Sequence, residues 1–178
     1  YEFAWDILKR KGIPAIFFVN TRPIAEQIVC SVHKVHLMRA ALPASTFEEV
    51  LRESARALRI SLTCDASVET YRRQYPYDSA EAAKVKYLIN FGLPRAKRAS
   101  LIDDAFERVF RGCEAAISRD FYMTPDQVKN LSGAGCIGSH LHDHLPLTAL
   151  SGASQKEMVS KSIDQIVEWS GITPRVLS

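Results

Sequence analysis

The sequence contains no apolar run near the roughly 20 residues that a helix needs to cross a bilayer, so no membrane span is expected. Its longest candidate, Ala15 to Val19, has the length of a buried strand. No secretory leader is expected from the opening residues, and because the sequence opens on Tyr1 rather than Met, a preceding segment is expected. Cysteine is sparse: Cys30, Cys64, Cys113 and Cys136 stand far apart, without a Cys-x-x-Cys pair or zinc-ribbon spacing. That excludes a disulfide scaffold. Isolated thiols of this kind are expected to behave as small buried hydrophobes, and they leave the compartment open. A surplus of one charge is missing too. Lys+Arg number 23 against 20 Asp+Glu, a net +3, and the charges are scattered, which gives nucleic-acid binding little support.

What is present is the composition of a folded protein, with 47% hydrophobic and 24% charged residues over 178 positions. In the first 21 residues the period switches. Phe3, Trp5, Ile7 and Leu8 mark the stripe of a short helix that ends in Lys9, Arg10 and Lys11 and is closed by Gly12. Ile13 to Val19 is then apolar on both faces, as a strand covered on each side would be. Residues 22–119 have helical periods only. Ile24, Ile28, Val32, Val35 and Leu37 predict one helix from about Ile24 to Ala40, and Phe47, Val50, Leu51, Ala55 and Leu58 a second, entered at a Thr46-Phe47-Glu48-Glu49 capping box. Two more surround Ala82 to Ile89 and Leu101 to Phe110, with Pro43, Pro76 and Pro94 between the helices. Residues 120–178 return to helix-strand alternation. A helix is predicted from Thr124-Pro125-Asp126-Gln127 to about Gly133, a brief buried strand at Cys136-Ile137-Gly138, a helix from Ser154-Gln155-Lys156-Glu157 to Gly171, and the start of a strand at Val176-Leu177.

The chemistry gathers in Gly138-Ser139-His140-Leu141-His142-Asp143-His144-Leu145-Pro146. Imidazole is the commonest protein ligand for zinc and related ions. A chain that curls through one turn brings His140 and His144 together and sends His142 elsewhere. An extended chain puts all three on one face. Both remain open from sequence. Asp143 suits either an acceptor that orients an imidazole or an ordinary loop carboxylate. Elsewhere, His33 and His36 read as an amphipathic helix face. Tyr71, Tyr75 and Tyr77 with Arg72 and Arg73 offer a sugar or phosphate platform, with an exposed helix end as the plainer reading. Asp103 and Asp104 diverge by about 100° on a helix and read as surface charges.

Two stretches resemble polysaccharide deacetylases of the NodB homology type. One is Ile7-Leu8-Lys9-Arg10-Lys11-Gly12-Ile13-Pro14-Ala15-Ile16-Phe17-Phe18-Val19-Asn20. The other runs from Tyr122-Met123-Thr124-Pro125 through Ile137-Gly138-Ser139-His140 to Pro146-Leu147-Thr148-Ala149-Leu150-Ser151, and includes a match to the family's His-Ser/Thr-x-x-His motif at His140 to His144. The resemblance implies an α/β fold, part of a distorted (β/α) barrel, with 22–119 as a long helical insertion. It also implies a divalent metal, most often zinc, held by His140 and His144, and an N-acetylated carbohydrate as substrate. His142 receives no role. The family's paired aspartates would precede Tyr1 and its late histidine would follow Ser178. A barrel with such an insertion needs well over about 250 residues, so the chain is expected to be a piece holding half of a metal site. Leu141 stands where the family has Ser or Thr, and the segment between Gly135 and Ile137 is one residue shorter.

The expected function is therefore metal-dependent deacetylation of a polysaccharide or sugar precursor, at nitrogen or oxygen, with the catalytic aspartates outside these residues. The rival reading is a non-catalytic carbohydrate-binding or scaffold protein with a degenerate barrel. A third treats the central helices as a protein-interaction module.

Overall fold

The computed structural model describes residues 2–63 and 66–178. Its contacts divide the chain into two compact units, Tyr1–Cys30 with Glu114–Ser178, and Ser31–Cys113.

The first unit opens with helix α1, Glu2–Arg10. Gly12 adopts φ +62°, and the Ile13 amide reaches back to the Leu8 carbonyl at 3.0 Å, closing the helix in the left-handed turn that glycine makes cheaply. Strand β1, Phe17–Val19, follows, then the short helix α2, Thr21–Glu26. After the central segment come α8, Glu114–Phe121, and α9, Pro125–Gly133. Strand β2, Ile137–Ser139, and α10, Gly152–Ser170, complete the unit. Strands β1 and β2 run parallel with Phe17 opposite Ile137, Phe18 opposite Gly138 and Val19 opposite Ser139. On the other side of β2, Ser139 makes a single bridge to Leu177, through Ser139 N to Val176 O and Ser178 N to Ser139 O, both 3.0 Å. The core between sheet and helices is Val19, Val128, Leu131, Ile137 and Ile166, with Trp5, Phe17 and Trp169 against it.

This architecture overturns the barrel. About 65% of the chain is helical, and among the described residues the sheet has two strands of three residues each. The apolar run that reads as a strand covered on both faces pairs only over Phe17–Val19. Pro14 has no amide to give a ladder. Ile13, Ile16 and Phe18 remain 47%, 47% and 42% exposed, so the outer face has no layer over it.

The predicted helix from Ile24 to Ala40 is also two helices, because Gln27 turns to φ 52° after α2 and helix α3 starts afresh at Ser31–Ala41. The break is stabilised by partners from far along the chain. The amide of Val29 donates to Glu114 Oε1 at 2.9 Å and that of Cys30 to Tyr122 Oη at 3.0 Å. The Ser118 hydroxyl donates to the carbonyls of Pro23 and Ile28. Backbone groups that a continuous helix would satisfy internally are satisfied by side chains instead.

The second unit continues from α3 with α4, Ala44–Ala57, α5, Val68–Gln74, α6, Ala80–Phe91, and α7, Arg95–Phe110. Met38, Phe47, Leu51, Leu88, Leu101 and Phe106, each at most 1% exposed, form its interior. Lys34 is buried among them, its ammonium 2.6 Å from Asp103 and over the Phe106 ring.

The three expected capping boxes fare differently. At α9 both halves exist: Gln127 N donates to Thr124 Oγ1 at 3.3 Å and Thr124 N to Gln127 Oε1 at 2.9 Å. Thr46 instead lies inside α4, which begins after Pro43, so it caps nothing there. Helix α10 is capped by Ser151 rather than Ser154, and Glu157 pairs with Lys161 at 2.8 Å. No helix among the described residues is long and apolar enough to cross a membrane.

Candidate metal centre

The histidine segment leaves the end of β2 and lies along the chain that follows β1. The amide of His140 donates to Val19 O at 2.8 Å, extending the ladder one step. Beyond it the backbone turns: Leu141 takes φ +66°, and residues 142–143 bend. The chain therefore curls rather than continuing as a strand, and His140 and His144 meet. Their Nε2 atoms are 3.2 Å apart, with ring centroids 4.9 Å apart and planes at 69°.

Two imidazole nitrogens at that distance cannot point bare lone pairs at each other; they must share a proton or a cation. His140 Nδ1 lies 2.9 Å from the carbonyl oxygen of Ser178, to which it can only donate, so its Nε2 carries the lone pair. At His144, partial burial of the ring and then the neighbouring His140 lower the pKa, which favours the neutral form that a metal requires. Two nitrogens bound about 2.05 Å from one tetrahedral zinc would stand about 3.3 Å apart. The observed 3.2 Å fits that spacing.

His142 goes elsewhere. Its Nδ1 is 3.0 Å from the hydroxyl of fully buried Thr21, and its Nε2 is 4.0 Å from Glu26. Burial lowers its pKa, against the opposing pull of Asp143 and Glu26. Asp143 orients no imidazole. Both its oxygens accept from Arg22 Nη1, at 2.9 and 3.1 Å, while Arg22 Nε donates to Glu26 at 2.9 Å. The two carboxylates hold the guanidinium firmly in its charged form, Glu26 contributing more. The side-chain amide of Asn20 donates to the His140 carbonyl, and the amides of Thr21 and Arg22 take the carbonyls of Leu141 and His142 at 3.3 and 3.0 Å. Ser139 is anchored from behind by the hydroxyl of Ser162 on α10, 2.7 Å away in the interior.

Among the described residues no group of three or more His, Cys, Asp and Glu stands ready to hold a metal ion. A metal ion placed between His140 and His144 would take two ligands from this pair. Asn20, Thr21, Arg22 and Glu26 were not legible as part of this region. The hint in the sequence is the polar run Asn20-Thr21-Arg22 directly after an apolar strand, where strand ends commonly carry sites.

The other candidates do not assemble. His33 and His36 face each other edge-on with centroids 6.4 Å apart on α3. Tyr71 is buried against Tyr87, which takes it out of the expected platform, while Tyr75 accepts from Asn90 and Tyr77 is fully exposed. Asp103 pairs with Lys34 and Asp104 with Arg108. Cys30 is buried, Cys136 half-buried and Cys113 exposed, which corrects the expectation of buried thiols for Cys113; Cys64 lies outside the described residues. No protein-family model, curated protein or solved structure matches the chain.

Proposed function

We propose that this chain carries the metal-binding loop of a metal-dependent deacetylase. It would hydrolyse N-acetyl or O-acetyl groups of a polysaccharide or sugar precursor, with His140 and His144 as protein ligands and zinc as the best-suited ion. The observation that carries the metal reading is the 3.2 Å approach of the two Nε2 atoms, with His140 held in the ligand tautomer by the Ser178 carbonyl. The substrate class rests on the resemblance of Ile7 to Asn20 and of Tyr122 to Ser151 to the deacetylase segments.

When bound, a divalent ion supplies Lewis acidity toward an acyl carbonyl and toward water. The chain's own residues prepare the place. Ser178 fixes the proton of His140 on Nδ1, Asn20 holds its carbonyl, and burial favours the neutral form of His144. Arg22 engages both oxygens of the Asp143 carboxylate, so Asp143 is not offered as the base or as a third ligand.

Acetate release from an N-acetylated oligosaccharide by the intact protein tests the reading. Release should stop on chelation, return with zinc, and fall at least about 100-fold in His140→Ala and His144→Ala. Release at the wild-type rate in both variants overturns it. Binding of the oligosaccharide without any acetate release would select the carbohydrate-binding alternative.

A further inference from the structure

The three residues between the paired histidines are each tied to the segment 19–26, and the ties differ in kind. The first part of the loop is held through its backbone, by Asn20, Thr21 and Arg22 on the carbonyls of residues 140, 141 and 142. Leu141 is buried at φ +66°, a left-handed conformation disfavoured for a residue with a Cβ and so imposed by its surroundings. On the His144 side the tie is a side chain. Asp143 places both oxygens on one Arg22 nitrogen, and that guanidinium is itself steadied by Glu26 one turn further along α2. The Asp143 carbonyl then accepts the Leu145 amide at 2.8 Å, closing the bend that presents His144.

We propose that Arg22 is a positioning residue for the histidine pair: by clamping Asp143 it sets where the loop delivers His144 relative to His140. The inference rests on the reading of His140 and His144 as ligands. Arg22 touches neither ring; it acts through Asp143. Its value lies in geometry, because partners that orient ligands typically change metal affinity by about 10–100-fold. An ion pair this close to solvent contributes little to folding.

The test is a zinc titration of the full chain against a chromophoric chelator, with the visible spectrum of the cobalt(II)-loaded protein as a second readout. Arg22→Gln and Asp143→Asn should each weaken zinc binding about 10-fold or more and lower the intensity of the cobalt bands, while the melting temperature of the metal-free protein stays near wild type. The double variant should bind no more weakly than the worse single one, since both remove the same tie. Arg22→Lys, which keeps the charge, should recover part of the loss. If Arg22→Gln unfolds the chain, Asp143→Asn decides, because it leaves Arg22 with Glu26. Wild-type zinc affinity and an unchanged cobalt spectrum in both variants, with His140→Ala impaired, overturns the clamp alone. Wild-type affinity in His140→Ala overturns the ligand assignment and the clamp with it.

Discussion

Gly138→Ala offers a quantitative check on how β2 sits beneath the candidate site. Gly138 has no positive φ, so alanine meets no backbone barrier there. The obstacle is packing. A Cβ at 138 would lie 2.6 Å from both Cδ1 and Cε1 of Phe18, its neighbour in register on β1, and 3.0 Å from Cγ2 of Val176. Ordinary contact begins at 3.4 Å, so the ring must retreat by about 1 Å. Overpacking of this kind costs about 1–3 kcal/mol, and Phe18, 42% exposed, has room to yield, which places the cost in the lower half of that range. Replacing glycine returns about 0.5 kcal/mol through the unfolded chain. The net expectation is destabilisation by about 0.5–1.5 kcal/mol. Both tryptophans, Trp5 and Trp169, pack against the core of this unit, so thermal unfolding followed by tryptophan fluorescence reads it selectively. The melting temperature should fall by several degrees, at about 4–8 °C per kcal/mol for a unit of this size. Gly138→Ala/Phe18→Leu, with a smaller side chain at the point of overlap, should regain part of the loss. A neutral or stabilising Gly138→Ala, or a double variant no better than the single one, would refute the register and the stacking of Phe18 over Gly138.

Two further outcomes follow. Thr124→Ala removes one half of the reciprocal cap on α9 and should cost about 1 kcal/mol, read as a lowered denaturant midpoint in the same fluorescence signal; an unchanged midpoint would contradict the cap. Acidification should weaken the metal-free protein. His142 and His144 are pushed below their ordinary value of 6.5 chiefly by burial, so the unfolded chain binds protons first. The stability they contribute is whole above that value and is lost as pH falls through it toward the depressed folded values. Denaturant midpoints at about pH 7.5 and about pH 5.5 should therefore differ, the second being lower, and His142→Asn should shrink the difference; equal midpoints in the wild type would contradict the burial of the rings.

Local signals were legible where the chain satisfies itself. Thr124 and Gln127 cap each other across three residues, and Gly12 and Gly171 stop helices by turning left-handed, so these boundaries needed no distant partner. Features that depend on remote residues were not legible. The apolar period from Ile24 to Val35 is unbroken in sequence, yet the helix breaks at Gln27 because Glu114 and Tyr122 capture the amides of Val29 and Cys30. The histidine spacing admitted both a turn and a strand; the choice was made by Thr21 and Arg22, 121 positions away from their partners. The barrel expectation came from local segments, and such segments say nothing about how many strands assemble. Among the described residues two three-residue strands formed, and the exposed Ile16 and Phe18 show that the apolar run was not evidence of layers on both sides.

The convergence of His140 and His144 on one cation is tested most directly by X-ray absorption at the zinc edge of the zinc-loaded protein. The account predicts two imidazole nitrogens at about 2.0–2.1 Å, falling to one in His144→Ala. A spectrum without imidazole scattering, or one that His144→Ala leaves unchanged, would contradict it.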